Sequence, residues 1–190
     1  MPSEAANQAT KREWRELGFF YDRDDRTRVW KLTGSRAGLL RFRDALLSFV
    51  ADPRNALKSE HEHYGPYACL EVMTWPEAGF DDHAIRGPLT DLARLAKLIE
   101  AKLATARPGS SVRIQEEFAA DSPYALVLDL REDGFDPAAE NPFCRPKTPL
   151  IRKTYPINQT PGSVLSATRD KRPKLAPALP KVFWAADKRR

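Results

Sequence analysis

The chain has 190 residues, with 31 Lys and Arg against 26 Asp and Glu, 16 prolines and two cysteines. Its net charge of +5 is divided: residues 1–140 carry −5, residues 141–190 carry +10, and nine of the prolines lie from Pro137 onward. No apolar run approaches the roughly 18–20 residues of a membrane-spanning helix, two cysteines make neither a disulfide framework nor a zinc-ligand spacing, and the first residues lack the basic and apolar regions of a signal peptide, so a cytoplasmic protein without membrane association is expected.

In chain order, residues 1–13 are small and polar without periodicity and are expected to be a flexible lead. Residues 14–21 read as a strand, with Leu17, Phe19 and Tyr21 on one side of an alternation. The charged turn Asp22-Arg23-Asp24-Asp25-Arg26 joins it to a second strand over 29–33, where Trp30 and Leu32 share a face. Ser35 is placed to cap a helix over 36–51 whose apolar residues Leu39, Phe42, Leu46, Phe49 and Val50 recur at three- and four-residue steps. Residues 67–75 alternate as a strand, and Cys69 within it reads as a small buried hydrophobe. After a short segment near Ile85, Gly87-Pro88 opens a helix with the stripe Leu89, Leu92, Leu95, Ala96, Ile99 and Leu103, closed by Pro108-Gly109. Residues 112–118 and 124–130 form a second hairpin.

The order β-β-α-β-α-β-β predicts an α+β domain over 14–135, an antiparallel or mixed sheet of about five strands with two helices on one face. Residues 136–190 are too rich in proline for helix or central strand and are expected to form a basic arm, disordered when free, with Cys144 a free thiol.

The most unusual stretch is Glu60-His61-Glu62-His63-Tyr64-Gly65-Pro66-Tyr67. If extended, it sends His61 and His63 to one face and Glu60 and Glu62 to the other. Charged and aromatic groups gathered this way suit a protein-binding surface, with Asp81 and Asp82 beside them. Two imidazoles could also supply part of a metal site, completed by His83, Asp81 or Asp82, but the familiar spacing of metalloprotease histidines is absent. A polar edge strand would give the same pattern, so no metal or cofactor is assigned. No nucleophile elbow, glycine-rich phosphate loop or focused carboxylate pair points to an enzyme. Gly34-Ser35-Arg36-Ala37-Gly38 could hold an anion, although helix capping accounts for it. In the tail, Arg152, Lys153, Tyr155, Arg169, Lys171, Arg172, Lys174 and Trp184 interleave cations with stacking rings, the chemistry of RNA or single-strand contacts.

Several segments carry a resemblance: Phe20-Tyr21-Asp22-Arg23-Asp24, Trp30-Lys31-Leu32-Thr33-Gly34-Ser35 followed by Gly38-Leu39, the 60–67 stretch, Thr74-Trp75 and Ile85-Arg86-Gly87. Over about residues 14–137 the chain resembles small bacterial proteins associated with polymorphic-toxin loci. That resemblance implies an immunity protein: a non-enzymatic inhibitor that covers a toxin. The tail has no counterpart in it. The leading expectation is therefore a protein partner, with a ribonucleoprotein accessory as the alternative and a metal-dependent enzyme using His61 and His63 as the third.

Overall fold

The computed structural model of the chain describes residues 3–142. The class is α+β, and the strands divide between two mixed sheets of four. The first sheet holds β1 (Phe19–Asp24), β2 (Val29–Ser35), β7 (Ser111–Ile114) and β8 (Ala125–Arg131) in the order β1-β2-β8-β7. The second holds β3 (His61–Tyr64), β4 (Leu70–Thr74), β5 (Gly79–Phe80) and β6 (Ala84–Gly87) in the order β3-β4-β6-β5. Each sheet is two antiparallel pairs joined by one parallel pairing, β2 with β8 and β4 with β6. The expected single sheet of about five strands misses this division because β3, β5 and β6 have only two to four residues, too few for alternation to stand out.

Four helices accompany the sheets. Helix α2 (Arg36–Ala51) starts where Ser35 Oγ accepts from the Gly38 amide at 3.2 Å, and it buries Leu39, Phe42, Leu46 and Phe49. Helix α3 (Leu89–Thr105) follows Pro88, buries Leu92, Leu95, Ala96, Ile99 and Leu103, and packs on α2. A single turn, α4 (Glu116–Ala119), buries Phe118, which the sequence had placed in a strand. One continuous core takes Trp30, Leu32 and Leu128 from the first sheet, Leu70, Val72 and Ile85 from the second, and the apolar stripes of α2 and α3.

The lead before the first strand is corrected. Residues Glu4–Leu17 form helix α1, capped by Ser3 Oγ on the Ala6 amide at 3.2 Å and ended by Gly18 in the left-handed region (φ 89°). Trp14 is therefore helical, and the strand begins at Phe19. The body also continues past residue 135. A 3-10 turn over Pro137–Ala139 buries Ala138, the side chain of Asp136 pairs with Arg15 at 2.7 Å, and Asn141 is 1% exposed. Tyr67 and Cys69 precede β4 rather than lie within it, and Cys69 is exposed, because the chain turns through a 3-10 segment, Pro66–Ala68, before the strand starts.

Candidate functional site

The 60–67 stretch supplies β3, the edge strand of the second sheet. It pairs with β4 so that His61 lies opposite Met73 and His63 opposite Glu71. The expected division of faces is found within β3, where His61 and His63 are exposed while Glu62 and Tyr64 turn toward the body; Glu60 precedes the strand and is exposed. Glu62 accepts from Tyr64 Oη at 2.8 Å and from Asn55 Nδ2 at 3.3 Å. Asn55 is itself buried, donating to Phe49 O at 3.0 Å and accepting from Thr74 Oγ1 at 2.5 Å. Burial, reinforced by the Glu62 carboxylate, pushes the Tyr64 hydroxyl pKa up. Glu62 and Tyr64 thus anchor the strand from beneath, and the histidines remain on display.

The loop after β3 is fixed from a distance. Tyr21 of β1 places its hydroxyl 2.6 Å from Pro66 O and 3.0 Å from Tyr64 O, where it donates, and accepts from the Cys69 amide at 3.3 Å. Within the loop Gly65 (φ 69°), Tyr67 (φ 69°) and Ala68 (φ 50°) all adopt left-handed backbone, a conformation that costs a non-glycine residue about 1–3 kcal/mol. Tyr67 is 58% exposed, yet its ring meets the edge of Trp14 at 6.5 Å and its hydroxyl accepts from Asn141 Nδ2 at 3.2 Å.

Asp81 and Asp82 do not join this group. They lie in the β5–β6 turn, and the row His63, Glu71, Ala84, Asp81 runs across the sheet, so Asp81 sits three strand spacings, about 14 Å, from His63. Asp81 Oδ1 accepts from the amides of His83 and Ala84 at 2.9 Å, and Oδ2 from Arg86 Nε at 2.7 Å. Burial opposes the charge on Asp81, but those two amides and Arg86 outweigh it and hold its pKa below the ordinary carboxylate range. Its carbonyl accepts from Trp30 Nε1 at 2.7 Å, and the carbonyl of Asp82 accepts from Arg23. These residues clamp the second sheet to the β1–β2 hairpin. His83 Nε2 lies 3.6 Å from Asp82, away from the other histidines. Among the described residues no group of three or more metal-ligating side chains forms.

Sequence reasoning missed the companions of His61 and His63 on the outer face of the second sheet. Glu71 and Met73 lie beside them, and Trp75 follows with Lys58 Nζ 4.5 Å and Arg86 Cζ 5.9 Å from its ring. The alternation of residues 67–75 already separated Glu71 and Met73 from the buried Leu70 and Val72, so the signal was present once β3 is known to pair with β4. The suggested anion loop at Ser35 opens on a cavity of about 370 Å³ lined by Arg15 and Arg41. Both guanidinium groups are engaged, Arg15 with Asp136 and Arg41 with the Glu16 carbonyl at 2.7 Å. Arg152, Lys153, Tyr155, Arg169, Lys171, Arg172, Lys174, Trp184 and Cys144 lie outside the described residues. Family models, curated proteins and solved structures were compared with the chain, and none matches it.

Proposed function

We propose that the protein is a non-enzymatic protein-binding module, in its most specific form an immunity protein that neutralises a bacterial toxin, and that it binds through β3 and the loop after it. The observation that carries this reading is the Tyr64–Ala68 loop. Left-handed backbone at two non-glycine positions is held in place by the buried Tyr21 hydroxyl, while Tyr67 stays 58% exposed. An exposed aromatic whose geometry is fixed in advance loses little entropy on binding, which is what an interface anchor requires. The surface is Glu60, His61, His63 and Tyr67, with Glu62 and Tyr64 as its internal support. Asp81 and Asp82 act through the fold instead. The net charge of −5 over residues 1–140 favours a basic partner, since opposite charge speeds encounter.

Affinity capture from the native host with the full chain tests this. A stoichiometric protein partner is expected with the wild type and with Asp82→Asn, and its recovery should fall at least tenfold with Tyr67→Ala, a variant that circular dichroism should show folded. Equal recovery with Tyr67→Ala removes this surface from the interface, and the absence of any stoichiometric protein counts against the whole reading.

A further inference from the structure

We propose that His61 and His63 form a two-imidazole chelate for a divalent transition metal of borderline softness, such as zinc or nickel, on the outer face of the second sheet. Their rings stand 5.1 Å apart between centroids and nearly perpendicular, at 86°. A metal about 2.05 Å from an imidazole nitrogen lies about 3.2 Å from the ring centre. Two rings sharing that metal then have centroids about 4.5 Å apart at a right angle and about 5.2 Å at the tetrahedral angle. The observed centroid spacing falls at the tetrahedral end of that range.

The protonation pattern fits as well. His61 Nδ1 lies 2.9 Å from the carbonyl oxygen of Ser59. A carbonyl only accepts, so Nδ1 carries the proton of that contact and, in the neutral ring, Nε2 keeps the free lone pair. A backbone carbonyl on the remote nitrogen is the arrangement that orients metal-bound histidines and raises their basicity. Ser59 is in turn fixed, since its amide donates to Thr74 O at 2.9 Å and the Thr74 amide donates to Glu60 O at 2.9 Å.

The strand pairing places Glu71 directly across from His63, a separation of about 4.5–5.5 Å between β-carbons. A carboxylate there adds favourable charge beside the site. Because no third ligand is grouped with the histidines among the described residues, the remaining coordination positions belong to water or to an incoming side chain. The site is accordingly open and exchangeable. It differs from the arrangement expected from sequence, since His83, Asp81 and Asp82 take no part.

The test is a titration of the full chain, free of any affinity tag and carrying Cys69→Ser and Cys144→Ser, with zinc alone and then nickel alone. Calorimetry is expected to give one ion per chain with a micromolar dissociation constant. The imidazole resonances of His61 and His63 should move together on adding zinc while that of His83 stays in place. His61→Ala and His63→Ala are each expected to weaken binding at least tenfold. Both side chains are exposed, so circular dichroism should show these variants folded. His83→Ala and Tyr67→Ala should bind metal as the parent does, so that failure of the metal site can be told apart from failure of the Tyr67 anchor, although His61 and His63 belong to the same proposed surface. Binding weaker than millimolar, loss of binding with His83→Ala, or retention of full affinity with either His61→Ala or His63→Ala overturns the proposal.

Discussion

The Tyr21 hydroxyl joins two strands and a loop that lie more than forty residues apart in sequence, and it does so from a position only 6% exposed. Changing Tyr21 to Phe leaves the Cys69 amide and the Pro66 and Tyr64 carbonyls short of a partner. Unsatisfied buried groups of that kind cost about 1–3 kcal/mol, measurable as a lower urea midpoint at pH 7. Partner affinity should fall with it, since the loop that carries Tyr67 loses its tether. The same residue gives stability a signature at high pH. Burial, opposed by the Cys69 amide, raises its pKa from 10.0 to about 12. The unfolded chain therefore releases the phenolic proton first. The stabilisation is complete below about pH 10 and disappears as the pH rises through 12, and two pKa units correspond to about 2–3 kcal/mol. The difference in unfolding free energy between wild type and Tyr21→Phe should shrink across that window and stay flat between pH 7 and 9. Gly65→Ala reports on the same loop from its other side. A β-carbon there would stand 2.7 Å from Leu17 Cδ2 and 2.9 Å from Tyr21 Cε1, at a φ of +69°. The expected loss is about 1–3 kcal/mol from the backbone alone, read by thermal melting. The composition of the 60–67 stretch and the opposite faces of its histidines and Glu62 were legible in the sequence, because alternation is a local property. Tyr21 looked like one more core residue of a strand, since nothing local records a contact made across forty residues.

At the scale of elements, α1 shows what periodicity cannot reveal. It buries only Trp14, with Leu17 partly covered, so it has no apolar stripe to recur every three or four residues. Its ends were nonetheless written in the chain: Ser3 as a cap and Gly18 as the left-handed stop. Helices α2 and α3 were legible because they bury four and five apolar side chains on one face. Two of the interactions that hold α1 to the body differ in magnitude. Trp14 is 2% exposed and packs against Phe20 and Tyr21 with ring centroids 4.9 and 5.0 Å away, so Trp14→Ala is expected to cost about 3–5 kcal/mol. The pair between Arg15 and Asp136 is half exposed at both ends, and exposed pairs contribute at most about 1 kcal/mol. Asp136→Ala should therefore shift the melting temperature little, while Trp14→Ala should also release the Tyr67 ring that rests against it. Hydrogen exchange in α1 and in the 64–69 loop would show both segments opening together in Trp14→Ala and neither in Asp136→Ala.

Across the whole molecule, both sheets use one strand order, an outer hairpin joined through a parallel pairing to a second antiparallel pair, and the second sheet is inserted in the chain between β2 and β7 of the first. Alternation marked most of the individual strands, but membership of a sheet depends on partners far along the chain, and that part was not legible. The described residues, 3–142, hold one continuous core. A chain ended after Pro142 loses twelve Lys and Arg and two Asp, leaving a net charge of −5 in place of +5. If binding belongs to the body, two consequences follow from that cut. The unfolding free energy measured in urea should stay within about 0.5 kcal/mol of that of the full chain. Association with a basic partner should be faster for the shortened chain at low salt, because the repelling +10 is gone. The two rates should converge as ionic strength rises past about 0.15 M, where charges more than about 8 Å apart are screened. Stopped-flow association over a salt series measures this directly. Loss of binding by the shortened chain would place the interface in residues 143–190 and set aside the body as the binding surface, whereas retained binding with a reversed salt slope would mean that the partner is acidic.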